Sequence, residues 1–144
     1  MTAPTDLAVL DASIVIAAQN PAEPLHDRVL SLLDEAAGLP WILHPLTHTE
    51  LLVLPARAGG ADAVARYQGL LTELGIEAAE PDGPADLHRR EARVELAELR
   101  ARTGLKLPDA AVLHLAVGTG ALLLTLDERL ARAARDEGVE VLGF

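Results

Sequence analysis

Residues Leu7 to Ala18 read LAVLDASIVIAA, an apolar run broken by Asp11 and, two places on, by Ser13. LAVL has the character of a short buried strand, and Ser13 to Ala18 that of the helical turn that follows it. An isolated carboxylate beside a buried strand is costly to desolvate, so Asp11 needs a partner. Ser13 can either cap the turn or hold Asp11 in orientation.

The same strand-then-helix rhythm continues outward. NPAEP (Asn20 to Pro24) breaks the chain, and Leu25 to Ala37 carries Leu25, Val29, Leu32 and Leu33 at helical spacing before Gly38-Leu39-Pro40. WILH is a second strand, ended by Pro45. Thr47 to Ala58 and Ala61 to Leu74 read as helices split by Gly59-Gly60, and GIEAAE as a weak third strand. After PDGPAD, Leu87 to Arg102 is a charged amphipathic helix stopped near Gly104. LPDAAVLHLAVGTG starts a helix with Pro108 in its first turn and closes it at Gly118 or Gly120. ALLLTL is a buried strand, DERLARAARDEG a helix and VEVLGF a last strand. Strands alternating with helices imply right-handed crossovers and a mostly parallel sheet. The expectation is one three-layer α/β/α domain over residues 1–144, with no internal repeat or linker.

Composition agrees with that class. Half of the residues are apolar, while Phe, Trp and Tyr occur once each, so the core is aliphatic, as in covered parallel sheets. The absence of Cys excludes disulfides, thiolate nucleophiles and cysteine metal sites. The start MTAPTDLAVLD lacks the pattern of a signal peptide, and the run from Ala110 to Leu126 falls short of a membrane span. A soluble cytoplasmic protein without membrane contact is expected. The formal charge of −10 taken alone argues against nucleic-acid binding, but clustered carboxylates that hold divalent cations invert the local field.

Parallel sheets place ligands at the carboxyl ends of their strands, and four acidic residues fall there. Asp11 follows LAVL, Glu50 lies near the start of the helix after WILH, Asp109 is in a first helical turn, and Asp127 follows ALLLTL. Singly, Asp127 reads as an N-cap and Asp109 as a complement to a helix dipole, while Glu50 alone is uninformative. Together on one edge they would repel unless a cation sat between them. Oxygen-only ligands favour Mg²⁺, with Mn²⁺ able to substitute, over zinc. Asp11 with Asp109 is the expected first binding pair. The histidines offer no zinc site: Pro45 separates His44 from His48, His114 reads as a packed core residue, and His26 and His88 as solvated helix positions. There is no Walker loop, G-x-G-x-x-G or G-x-S-x-G.

LDASIVIA, LTHTELL, LKLPDAAVLHLA and LLTLDERLARAA resemble, in order and spacing, the motifs of PIN domains, and in particular of VapC-type toxins of toxin–antitoxin pairs. The resemblance spans the chain. It implies a Mg²⁺-dependent endoribonuclease of a type II pair, a homodimer restrained by a VapB-like antitoxin, acting on cellular RNA. Its acidic quartet corresponds to Asp11, Glu50, Asp109 and Asp127, with Ser13 and Thr125 at the accessory hydroxyl positions. Leu130 departs from the pattern, where an aromatic is common, and the negative charge leaves RNA contacts to few residues. Lys106, Arg102 and Arg129 are the candidates for substrate phosphates, each with a solvated surface charge as the plain alternative. Arg89, Arg90 and Arg93 interleave with Glu91 and Glu95 as an ordinary charged face.

Two other classes compete. A catalytically weak PIN-like module that only binds an antitoxin would tend to have lost a quartet residue. A haloacid-dehalogenase-like phosphatase wants an Asp where Ser13 stands, and a receiver domain wants an acidic pair after its first strand and a Lys after its last long one.

Overall fold

The computed structural model describes residues 5–144, so the reading of the first four residues as a leaderless start lies outside them. The elements alternate as β1 (Ala8–Leu10), α1 (Ala12–Gln19), α2 (His26–Glu35), β2 (Trp41–Leu43), α3 (Pro45–Glu73) and β3 (Ile76–Ala78). They continue with α4 (Arg90–Thr103), α5 (Leu107–Thr119), β4 (Leu122–Leu124), α6 (Glu128–Asp136) and β5 (Val141–Leu142). The five strands pair in the order β3-β2-β1-β4-β5, and every pair is parallel. This is the three-layer α/β/α architecture.

Strand alternation divides the core between the two faces of the sheet. Val9, Ile42 and Leu123 pack with Leu99, Leu113 and Leu130 of α4, α5 and α6. Ala8, Leu10, Leu43, Leu122 and Leu124 pack with Ile14, Val29 and Leu51 of α1, α2 and α3. Helix α5 is buried at every position from Ala110 to Ala116, which explains a sequence apolar there apart from His114. No helix among the described residues is long and apolar enough to cross a membrane.

Several boundaries differ from the sequence reading. Strand β4 ends at Leu124, two residues before the end of ALLLTL, although the Thr125 amide still donates to Leu142 O. Helix α4 starts at Arg90 rather than Leu87, because a turn with Asp86 accepting from the His88 amide occupies the approach. His88 therefore lies in that turn, not on a helix. The expected break at Gly59-Gly60 is a kink within α3, where Gly60 takes φ 63 and ψ −149. Only glycine adopts that conformation readily.

Candidate active site

The strand order reverses between β1 and β4, since β2 and β3 follow β1 outward on one side and the chain then crosses from β3 to β4 and β5 on the other. The carboxyl ends of these two strands therefore form the crevice in which open α/β sheets bind ligands. Asp11 closes β1, and Asp127 stands at the N-cap of α6 after β4.

Asp11 is buried, only 8% exposed, and its surroundings answer the question its sequence raised. Ser13 Oγ donates to Asp11 Oδ2 at 2.8 Å, and Thr125 Oγ1 donates to the same oxygen at 2.9 Å. The hydroxyls are themselves fixed, since Ser13 Oγ accepts from the Leu126 amide at 3.2 Å and Thr125 Oγ1 from the Asp127 amide at 3.0 Å. Ser13 thus orients Asp11 rather than capping α1, whose first turn has no side-chain cap. Both donors converge on Oδ2, leaving Oδ1 to other partners. Asp127 does cap α6, its Oδ1 accepting from the Leu130 amide at 3.0 Å.

Asp109, half-buried in the first turn of α5, is where the carboxylates meet electrostatically. Burial pushes its carboxyl up to about 6, and the negative charges of Asp11, Asp127 and Glu50 push the same way against the relief from Lys106. Each member of the acidic quartet is therefore within electrostatic reach of Asp109. Glu50 and Asp127 are exposed, and the cap bond of Asp127 occupies only its Oδ1. Among the described residues no three His, Asp or Glu side chains are already gathered as a metal cage. The donor set nonetheless fits a hard divalent cation, which would relieve the mutual repulsion that raises Asp109.

The three candidate cations fare differently. Lys106, at the N-cap of α5, is close enough to Asp109 to be felt there. Arg129, in the first turn of α6, donates to Gly104 O at 2.9 Å and lines a recess with Asp127. Arg102 is drawn elsewhere: its guanidinium holds Glu137, with Nη2 at 2.6 Å and Nε at 2.7 Å from the carboxylate. Glu137 follows the last turn of α6, roughly 15 Å along the axis from the Asp127 end. The structure does not bring Arg102 to the carboxylates.

Of the two buried histidines, His114 was read from the sequence as a core residue and His44 was not. His44, fully buried, caps α3 by accepting from the Leu46 amide at Nδ1, so its proton sits on Nε2. Burial, and then the nearby His114, pull its imidazole down to about 4. His114 is the buried residue its apolar neighbours implied, with Nε2 3.1 Å from Glu95 Oε2. Among the described residues, His44 Nε2 and His114 Nδ1 have no hydrogen-bond partner. The burial of His44 could have been suspected from its place at the end of an apolar strand. His26 is half-buried rather than solvated, its Nδ1 against Ala17 O at 2.6 Å.

The PIN-domain family model matches residues 8–136. None of the curated proteins matches the chain. Solved structures of the same fold include FitAcB from Neisseria gonorrhoeae, 17% identical with TM-score 0.63, the match covering 94% of this chain and 96% of that one. VapBC2 from Rickettsia felis, bound to a DNA fragment from their promoter, is 14% identical with TM-score 0.64, covering 94% and 97%. VapC20 from Mycobacterium tuberculosis, a sarcin–ricin loop cleaving toxin, is 15% identical with TM-score 0.65, covering 88% and 94%. With the family model spanning nearly the whole sheet and both halves of the crevice, this chain belongs to the PIN-domain family.

Proposed function

We propose that the chain, acting as one domain, is a Mg²⁺-dependent endoribonuclease toxin of a type II toxin–antitoxin pair, working in the cytoplasm as a homodimer. The observation that carries this reading is the pair of carboxylates at the ends of β1 and β4, Asp11 held by Ser13 and Thr125 and Asp127 at the start of α6, with the repulsion of Asp11, Asp127 and Glu50 felt at Asp109. Support comes from family membership and from neighbours of the same fold that include antitoxin complexes and one RNA-cleaving toxin. A VapB-like antitoxin is the expected partner and restrains the activity.

Asp11, Asp109, Asp127 and Glu50 would hold the cation, Mn²⁺ serving in place of Mg²⁺. When bound, a divalent cation supplies Lewis-acid activation for in-line hydrolysis of a phosphodiester. Ser13 and Thr125 hold the Asp11 carboxylate in one orientation from two sides. The Asp127 cap bond fixes one of its oxygens against α6. Lys106 and Arg129 would meet the substrate's phosphates, a role supported by the influence of Lys106 on Asp109 and by the recess Arg129 shares with Asp127, and one that RNA requires of a chain whose net charge is −10.

Cleavage of total cellular RNA by the purified, antitoxin-free protein tests the proposal, with Mg²⁺, Mn²⁺ or EDTA and with Asp11→Asn as control. Discrete fragments that require both metal and Asp11 are expected. Cleavage that survives in Asp11→Asn rejects the site. A folded protein that leaves RNA intact while binding an antitoxin is the weak interaction module instead.

A further inference from the structure

The chain's single Phe is its residue 144, and half of its surface is exposed. It shares a shallow recess with Leu126, Asp127, Glu128, Arg129 and Arg132, immediately beside the candidate active site. An exposed aromatic residue in a recess that also holds Asp127 and two arginines is an unusual use of a scarce residue type.

The backbone holds the ring there. Gly143 has φ 123, and a Cβ on it would overlap the carbonyl oxygen of Thr125, so the chain passes the end of β4 at a distance only glycine permits. Arg28 Nη2 donates to Gly143 O at 2.8 Å from the other side. Thr125 is the residue whose hydroxyl holds Asp11. The position of Phe144 is therefore tied to the same backbone that builds the site.

The charges in the recess differ from those of the rest of the surface. Arg132 pairs with Glu128 at 3.0 Å, but both side chains are about 70% exposed, and such pairs exchange partners at little cost. Arg129 spends one nitrogen on Gly104 O and keeps further donors for a phosphate. Two arginines stand beside Asp127 and Glu128 here, in a chain whose net charge is −10.

We propose that Phe144 forms a nucleobase-stacking subsite, in which a base next to the scissile phosphate lies on the ring while Arg129 and Arg132 hold the adjoining phosphates. The inference rests on the ribonuclease reading and adds to it a contact to the base. Every base presents a π-face, so the subsite fixes the register of a single-stranded segment and tolerates different bases.

The test is binding of a short fluorescent single-stranded oligoribonucleotide, followed by anisotropy with Ca²⁺ in place of Mg²⁺ to suppress cleavage. An oligomer of the same length that is abasic at every position, so that no base can slip onto the ring, is the comparison. Phe144→Ala and Phe144→Leu should each weaken binding about tenfold, while Phe144→Trp keeps it. The abasic oligomer should bind wild type and Phe144→Ala alike. The ring is half exposed, so thermal melting should show all three variants folded. Equal binding by wild type and Phe144→Ala overturns the subsite, as does a loss that Phe144→Leu restores or that persists with the abasic oligomer. No binding by wild type overturns it too. RNA cleavage by wild type, run in parallel, separates the two readings: cleavage with no effect at Phe144 removes the subsite and leaves the ribonuclease standing.

Discussion

Thr125 Oγ1 donates to Asp11 Oδ2 at 2.9 Å and accepts from the Asp127 amide at 3.0 Å, so one buried hydroxyl joins the ends of β1 and β4. Replacement by Val keeps the shape and removes both bonds, leaving the Asp127 amide without that acceptor and Asp11 with only Ser13. A loss of about 1–3 kcal/mol is expected in denaturant unfolding, with weaker Mn²⁺ binding by titration. Thr125→Ser should recover most of both. A Val variant as stable and as tight for Mn²⁺ as wild type would show that the bond orients nothing.

Asp109 makes the apo protein less stable as the pH rises. Its carboxyl, at about 6 when folded against 3.8 as the reference value, keeps a proton that the unfolded chain has already lost. Stability therefore falls through that window and the penalty is complete above it, at most about 3 kcal/mol. Asp109→Asn should raise the apo melting temperature at pH 7.5 and give no gain at pH 3.5. It should also abolish stabilisation by Mg²⁺. An equal gain at both pH values would place the cause of the effect elsewhere than in repulsion among the carboxylates.

His44 acts in the opposite direction over nearly the same range. Its folded value of about 4 lies below the 6.5 of a free imidazole, so the unfolded chain binds a proton first as the pH falls. The stability it contributes is whole above pH 6.5 and is lost as the pH drops toward 4, by roughly 3 kcal/mol. Asn is a good N-cap and can accept from the Leu46 amide in place of Nδ1. His44→Asn should be less stable at pH 7, through lost packing, and show a shallower decline between pH 6.5 and 4. Parallel unfolding curves for the two proteins across that range would contradict the assignment.

The alternation of short apolar runs with helical spacing made the layers and the strand ends readable, and with them the places of Asp11, Glu50, Asp109 and Asp127. A carboxylate directly after a buried strand has few places to go, so its position follows from the backbone. Long side chains are less constrained. Arg102 has the spacing of a substrate contact, yet it reaches Glu137, a choice made by how α4 lies against α6 rather than by either helix. Ser13 left two roles open in sequence, and the neighbouring Leu126 and Thr125, more than a hundred residues away, decide between them. The position of Phe144 was not legible, because it depends on the close approach of Gly143 to the distant end of β4, whereas the cap made by His44 is local and was hidden only by the unread burial of its ring.

Gly143 gives a separate handle on that last contact. Any Cβ there meets the Thr125 carbonyl, and φ 123 is itself unfavourable for other residues, so Gly143→Ala must displace the end of β5. The cost is expected at roughly 1–3 kcal/mol. The Thr125 amide, which donates to Leu142 O at 3.1 Å, should then exchange its hydrogen much faster. Amides of β1, which pairs with β2 and β4 and not with β5, should stay protected. Hydrogen exchange followed residue by residue reads this directly. Unchanged protection at Thr125 with an unchanged melting temperature would show that the strand end has room to spare and that Gly143 does not fix the position of Phe144.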